Sequence, residues 1–256
     1  MPGFFMLTGD MNKIGRIALV TDFGPGSPYV GQMRLRLAQL APATESSDLV
    51  SDLPPFRSDL AAYLLPALAR DVPDDTLFLC IVDPGVGGER AVIALEADGR
   101  WYLGPDNGLL SMVARHASRW RLLRVTWRPE RLSNSFHGRD LFCPLAAMLV
   151  AGEVPESASL ELRSLEGFDW PSDLAAVVYR DGYGNLVTGL RASEVNTEAR
   201  IWAANRDISS ARTFCEVPAG KAFWYENSFG LIEIAVNRGR ADQVLGLGPG
   251  DQVVIR

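Results

Sequence analysis

Short apolar runs alternate with helical patterns along the first half of the chain, a rhythm typical of a sheet covered by helices. The run RIALVTDFG (residues 16–24) is apolar without interruption and ends at Asp and Gly, which predicts a strand buried on both faces. SPYVGQMRLRLAQLAP then predicts a helix with Ser27 as N-cap, Pro28 at its first position and a proline after its end. LPPFRSDLAAYLLPALARDVP predicts a second helix, with Ser58 or Asp59 near its cap.

The same alternation continues to about residue 152. TLFLCIVDPGVGG predicts a second buried strand that runs into a glycine-rich turn, and a hairpin is expected at Asp98-Gly99. A Pro-Asp-Asn-Gly turn (residues 105–108) is expected to open a helix. RLLRVTW then predicts a strand, and GRDLFCPLAAMLVAG predicts a helix with a glycine stop.

From about residue 172 the pattern changes to short strands separated by turns. LAAVVYRDGYGNLVTGL, ARIWAAN and DQVVIR show no strong helical period, so a second, mostly β domain is expected. The polar, turn-rich segment PESASLELRSLEGFDWPSD separates the two halves. The sequence therefore predicts an N-terminal α/β domain, residues 13–165, with a mostly parallel central sheet flanked by helices, and a smaller all-β domain, residues 172–256.

Composition narrows the function to small-molecule chemistry. With 47% hydrophobic and 22% charged residues, the 256-residue chain has the make-up of a soluble globular protein. A net charge of -6 and a pI near 5.1 argue against nucleic-acid binding. The three cysteines are widely separated, so neither a disulfide framework nor a zinc site is expected and a reducing cytoplasm fits.

The N-terminal segment lacks the pattern of a signal peptide, and no run reaches the roughly 18 apolar residues of a membrane span. No membrane association is therefore expected. Residues 1–12 are expected to form a loose tail, with Met11 as an alternative start.

Candidate site residues follow the predicted strands, because ligands of α/β sheets gather outside the carboxyl ends of the strands. Asp22 and Asp83 stand at two such turns, although an Asx turn or helix cap explains each aspartate equally well by itself. His137, one of only two histidines, lies between Phe136 and Gly138. It is a candidate for a functional imidazole, and the alternative is a loop residue whose ring is hydrogen-bonded to backbone. His116 follows a helical run and is expected to be structural. Kinase, P-loop, Ser-His-Asp and transition-metal patterns are incomplete.

Seven motifs in order carry a specific resemblance: TDFG…SPYVGQM, VDPGVGGER, GPDNGLL, SFHGRDLFCPLAA, DGYGNLVT, NSFGLIEIAVN and LGLGPGD. From about residue 14 to its end the chain resembles the S-adenosyl-L-methionine (SAM) hydrolase (adenosine-forming) family, also called SAM hydroxide adenosyltransferase, whose relatives include fluorinase and chlorinase. The resemblance implies a barrel-like C-terminal domain and a homotrimer with active sites between the N-terminal domain of one subunit and the C-terminal domain of a neighbour. It also implies that SAM is the substrate and adenosine a product, with neither cofactor nor metal.

The implied reaction is attack of water on the ribose 5′ carbon of SAM, with Asp83, Arg90 and His137 around the water. The sulfonium departs as a neutral thioether, so the difficult step is aligning and activating a weak nucleophile. The residues leave open whether His137 takes the proton or whether Asp83 and Arg90 do. The halide relatives lack this Asp and His, and a carboxylate at Asp83 would repel a halide, so hydrolysis is favoured. A halide adenosyltransferase and a non-catalytic SAM- or adenosine-binding module remain the alternatives.

The resemblance implies binding roles for six further residues. Asp22 is expected to accept hydrogen bonds from both ribose hydroxyls, and Asn185 to present donor and acceptor to adenine. Asp181 is expected near the methionine ammonium. Polar contacts are expected from Ser228 and Glu233, and a backbone contact to adenine from Val236. Two positions depart from the family pattern, with Ser135 where Thr is common and Ser51 where His is common.

Overall fold

The computed structural model describes residues 13–256, so the expectations for residues 1–12 and Met11 lie outside the described residues. The first half forms one seven-stranded sheet with helices on both faces. Its strands are β1 (Arg16–Thr21), β2 (Glu45–Val50), β3 (Thr76–Ile81), β4 (Val92–Ala97), β5 (Arg100–Pro105), β6 (Trp120–Val125) and β7 (Ser157–Ser159). Its helices are α1 (Pro28–Leu40), α2 (Ser58–Ala69), α3 (Ser111–His116) and α4 (Cys143–Val150).

The strand order is β2-β1-β3-β5-β4-β6-β7, and the four strands β2, β1, β3 and β5 run parallel to one another. The predicted hairpin at Asp98-Gly99 joins β4 antiparallel to β5. β4 also pairs antiparallel with β6 on its other side, and β7 is antiparallel to β6. The predicted sheet flanked by helices is therefore confirmed. It is a mixed sheet, with three parallel strand pairs on one side and three antiparallel pairs on the other. All six residues of β3 are buried, as expected for a strand covered on both faces.

The helix ends follow local chemistry, with two differences from the sequence prediction. Ser27 caps α1 as predicted, accepting a hydrogen bond from the Tyr29 backbone N–H at 3.3 Å. At α2 the N-cap is Arg57 without a side-chain cap bond, because the Ser58 hydroxyl donates instead to the carbonyl of Asn107 at 2.9 Å. The predicted helix after residue 137 begins as a π-helical turn, Gly138–Phe142, and only then continues as α4.

The C-terminal half is mostly β, as predicted, and its strand pairs are antiparallel. Its elements are β8 (Leu174–Arg180), β9 (Leu186–Arg191), β10 (Ile201–Ala203), β11 (Arg206–Ile208), β12 (Ala222–Glu226), β13 (Leu231–Val236), α5 (Ala241–Leu245) and β14 (Val254–Ile255). A four-stranded sheet, β12-β13-β9-β8, packs on a three-stranded sheet, β11-β10-β14. The short helix α5 is an addition to the all-β prediction.

The two halves share a core. The inner face of the four-stranded sheet buries Leu186, Ile232 and Ile234 against the smaller sheet. Its outer face contributes Val187 and Leu231 to the core beneath α2 and α3, so the C-terminal sheet lies against the N-terminal domain. Across residues 13–256, no helix is both long and apolar enough to span a membrane.

Candidate active site

Asp22 and Asp83 lie at the same edge of the sheet, where two neighbouring parallel strands end. Thr21 at the end of β1 pairs with Ile81 at the end of β3. Asp22 follows Thr21 directly, and Asp83 follows Ile81 after one residue. The Asp22 Oδ2 accepts a hydrogen bond from the Phe56 backbone N–H at 2.9 Å. Burial raises the pKa of Asp22, and the negative charge of nearby Asp83 acts in the same direction. The sheet thus brings two carboxylates into one cleft.

Arg90 holds the Asp83 carboxylate from the far end of the glycine-rich turn. The guanidinium Nε lies 2.9 and 3.0 Å from the two carboxylate oxygens, and Nη2 bonds the second of them. The side chains of Asp83 and Arg90 are only 5% and 10% exposed. At this depth the fork-like contact fixes the carboxylate plane and compensates its charge.

His137 joins this pair through its Nδ1, which lies 2.9 Å from the Arg90 Nη2. A guanidinium only donates hydrogen bonds, so the Nδ1 must accept, and the proton of the neutral imidazole then resides on Nε2. The residue is 7% exposed, and burial, followed by the positive charge of Arg90, lowers the pKa of His137 below its usual value. The neutral ring with Nε2–H is therefore the form expected at neutral pH.

Backbone contacts hold the two loops that carry these residues. The Asn107 Nδ2 donates to the carbonyl of Val82 at 2.7 Å, immediately before Asp83, which gives the GPDNGLL motif a structural role. Gly87 has φ +81°, and a Cβ there would meet the carbonyl oxygen of Asn134. The loop after β3 consequently packs directly on the loop that leads to His137.

An aromatic rim borders this cleft. The Phe136 ring lies 5.1 Å from the Tyr29 ring and 6.3 Å from the Phe23 ring, centroid to centroid, in edge-on arrangements. Tyr29 and Phe56 remain 52% and 72% exposed. The rim presents apolar surface beside the buried polar cluster, a combination typical of small-molecule sites.

A second polar cluster lies in the C-terminal half. The backbone N–H of Asn185 donates to Asp181 Oδ1 at 2.8 Å, and its side-chain Nδ2 donates to Oδ2 at 3.0 Å. Glu233 is 5% exposed and accepts from the hydroxyl of Tyr225 and, at 3.0 Å, from the Asn227 Nδ2. Burial raises the pKa of Glu233. Asp181 and Asn185 thus form one hydrogen-bonded pair, and Glu233 belongs to a second group with Tyr225 and Asn227.

Ser228 and Val236 flank that group at the two ends of β13. Ser228 lies in the exposed turn between β12 and β13, and its carbonyl accepts from Arg70 Nη2 at 2.9 Å. Val236 is 1% exposed, and its carbonyl accepts from the Gly239 N–H at 3.1 Å. The substrate-binding roles expected for both residues stay predictions.

Within one chain the two clusters are not joined. Ser58, at the start of α2, bonds Asn107 on the Asp83 side, whereas Arg70, just past the end of α2, bonds Ser228. A helix of 12 residues spans about 18 Å. Across residues 13–256, no hydrogen bond or ion pair links Asp22, Asp83, Arg90 or His137 to the C-terminal cluster.

Sequence reasoning missed Asn107, Tyr225 and Asn227. For Tyr225 a signal was present, since a hairpin centred on the NSFG turn places it opposite Glu233, as the register shows. For Asn107 the GPDNGLL motif was a signal, but its contact was not predictable, because its partner Val82 is 25 residues away in sequence.

Comparison with known proteins identifies two family sequence models that together cover most of the chain. The model described as "SAM hydroxide adenosyltransferase N-terminal domain" matches residues 17–159, and its C-terminal counterpart matches residues 175–254. Proteins named (R)-S-adenosyl-L-methionine hydrolase are similar over nearly their whole length. The one from Thermus thermophilus is 36% identical, covering 91% of this chain and 96% of that protein. The one from Salinispora arenicola is 33% identical, covering 93% and 96%.

Solved structures share the fold. An uncharacterized conserved protein from Thermotoga maritima superposes with a TM-score of 0.82 at 29% identity, covering 93% of this chain and 99% of that one. A conserved hypothetical protein from Thermus thermophilus gives a TM-score of 0.74 at 32% identity, covering 94% and 99%.

Proposed function

The chain belongs to the SAM hydroxide adenosyltransferase family, and from this we propose that it hydrolyses S-adenosyl-L-methionine to adenosine and L-methionine. The observation that carries the proposal is the buried network of Asp83, Arg90 and His137 at the carboxyl ends of parallel strands. A carboxylate, a cation and a neutral imidazole meet there at a cleft with an aromatic rim. This arrangement suits the activation of a water molecule.

The leaving group of SAM needs no help from the protein. When the bond between sulfur and the ribose 5′ carbon breaks, the sulfonium takes both electrons and becomes the neutral thioether of methionine. The enzyme must instead align water opposite the C–S bond and accept the proton that the attacking oxygen loses. The net reaction releases adenosine, methionine and one proton.

The tautomer of His137 supports one of the two proton routes, the one through Asp83. Its Nε2–H donates a hydrogen bond to the water oxygen, so the ring orients the nucleophile and does not serve as its base. Asp83 accepts the water proton, which becomes more acidic as the new C–O bond forms, and passes it to solvent. Arg90 holds Asp83 and His137 in fixed positions relative to each other and balances the charge of the Asp83 carboxylate between turnovers.

The other residues anchor the ligand. Asp22, close to Asp83, is placed to accept hydrogen bonds from the ribose hydroxyls. The side-chain amide of Asn185 donates to Asp181, which leaves its carbonyl oxygen for the exocyclic amine of adenine. The metal-free and cofactor-free reaction is part of the proposal.

A homotrimer with shared active sites also belongs to the proposal. Its support is the position of Ser228, which lies about one α2 length from the Asp83 side in the same chain. A ligand that contacts both clusters then requires the N-terminal cleft of one subunit and the C-terminal cluster of another. A cytoplasmic location is supported by the free state of Cys80, Cys143 and Cys215.

Incubation of the purified protein with SAM tests the proposed reaction. Chromatography should show equal amounts of adenosine and methionine, at the same rate with or without added chloride or fluoride. Formation of a 5′-halogenated adenosine would identify a halide adenosyltransferase instead. Tight SAM binding by calorimetry with the ligand unchanged after hours would identify a binding module and refute hydrolysis.

A further inference from the structure

The turn that carries Ser228 is organised by the residue before it, Asn227. Its side-chain Oδ1 accepts from the backbone N–H groups of Phe229 and Leu231, both at 3.0 Å. Its own backbone N–H donates to the carbonyl of Leu231 at 2.9 Å, and its carbonyl accepts from Gly230 at 3.0 Å. The conformation of the whole turn therefore depends on Asn227, which is 7% exposed.

The remaining side-chain group of Asn227 points away from the turn. Its Nδ2 donates to Glu233 Oε2 at 3.0 Å, while the other carboxylate oxygen accepts from the hydroxyl of Tyr225. The Asn185 side chain is near enough to Glu233 to act against the rise in its pKa, and Glu233 pairs across the sheet with Val187, two residues beyond Asn185. Glu233 thus stands between the turn that holds Ser228 and the turn that holds Asp181 and Asn185.

We propose that Asn227 is a positioning residue for SAM and that its hydrogen bond to Glu233 sets the spacing between these two ligand-binding turns. The inference rests on the proposed function. The Asx turn alone needs only the acceptor of Asn227, so the donor group serves the contact with Glu233. In this proposal the pair acts through the position of its hydrogen bond and not through the negative charge of Glu233.

Exchange of donor and acceptor tests this directly. Asn227→Asp keeps the acceptor for the turn but sets a carboxylate against Glu233. Glu233→Gln alone keeps the bond, because the glutamine carbonyl accepts from the Asn227 Nδ2 and the Tyr225 hydroxyl turns to accept from the glutamine amide. In the double variant the new glutamine amide donates to the new carboxylate, and the glutamine carbonyl still accepts from Tyr225. We expect Asn227→Asp to raise KM for SAM by about tenfold with kcat changed by less than about threefold, and Glu233→Gln alone to leave KM within about threefold of wild type. The double variant should return KM to within about threefold of wild type.

Asn196 provides a matched control. Its Oδ1 accepts from the Glu198 backbone N–H at 2.9 Å in a similar turn, and it is exposed and has no carboxylate partner in the structure. Asn196→Asp should leave KM and kcat unchanged. The dissociation constant for adenosine, measured by calorimetry, should follow KM in all variants.

Two results would overturn the inference. An Asn227→Asp variant with wild-type KM and adenosine affinity would show that the pair sets nothing at the site. A double variant no better than Asn227→Asp, or a Glu233→Gln variant with a tenfold higher KM, would show that the Glu233 charge itself acts. Thermal unfolding identifies a single variant that fails to fold. In that case the KM of the double variant, compared with that of wild type, tests the inference. If wild-type protein forms no adenosine from SAM, the proposed function fails, while adenosine affinity still tests the pair.

Discussion

Asp83→Asn separates the chemistry of the proposed reaction from its ligand binding. The substitution keeps the size of the side chain and one hydrogen-bond acceptor but removes the negative charge. Arg90, 10% exposed, then faces an amide and the Nδ1 of His137 without an opposite charge. The water loses its proton acceptor, whereas the contacts expected to hold ribose and adenine remain.

Two magnitudes follow. Loss of a general base costs about 10² to 10⁴ in turnover, equivalent to about 2.7 to 5.5 kcal/mol of transition-state free energy. An uncompensated buried guanidinium destabilises the fold by about 3 kcal/mol, the low end for a broken buried pair, because the new amide still accepts one hydrogen bond. At about 2 to 4 °C per kcal/mol for a chain of this size, Tm should fall by about 6 to 12 °C.

Three assays measure the effects separately. Single-turnover formation of adenosine reports the chemical step, calorimetry with adenosine reports ligand binding, and thermal unfolding reports stability. The control is Asp173→Asn, because Asp173 forms a similar two-point ion pair with Arg191, at 2.9 and 2.7 Å, away from the cleft. It should lower Tm without changing turnover. The reasoning is refuted if Asp83→Asn retains turnover within about fivefold of wild type, or if its loss of activity is matched by an equal loss of adenosine affinity.

Three further predictions concern the proton, the loops and the assembly. The neutral form of His137 is the proposed active form, and the pKa of His137 is lowered. The value of kcat/KM should therefore stay level as pH falls from about 8 through about 6.5 and drop only below the lowered pKa. A fall already at about pH 7 would contradict this. Gly87→Ala should lower kcat and destabilise the fold by more than Gly152→Ala, because both have positive φ but only Gly87 lies against a carbonyl; equal effects in unfolding and kinetic assays would argue against the loop contact. Co-refolding inactive Asp83→Asn and Asn185→Ala chains in equal amounts should restore about a quarter of wild-type activity if sites are shared between subunits, and no recovery would exclude sharing.

Much of the fold was predictable because its patterns are local. The apolar run of β3 and the Ser27-Pro28 start of α1 each depend on neighbouring residues, and both appear as predicted. β2 was missed, since its sequence ESSDLV is polar and half exposed at the sheet edge, where pairing with β1 stabilises a strand that its own pattern does not indicate. The π-helical turn after His137 was missed for a similar reason, because its backbone path is decided by packing.

For the site, the sequence alone determined which residues to consider. The turns after two buried strands named Asp22 and Asp83, and the ordered motifs added Arg90 and His137. Tertiary structure decided what each can do. The tautomer of His137 follows from Arg90, 47 residues away in sequence, and the spacing of the two C-terminal turns follows from the bond between Asn227 and Glu233. Such contacts form only when the sheets fold, because hydrogen bonds require donor and acceptor within about 3 Å, a distance that sequence patterns do not encode.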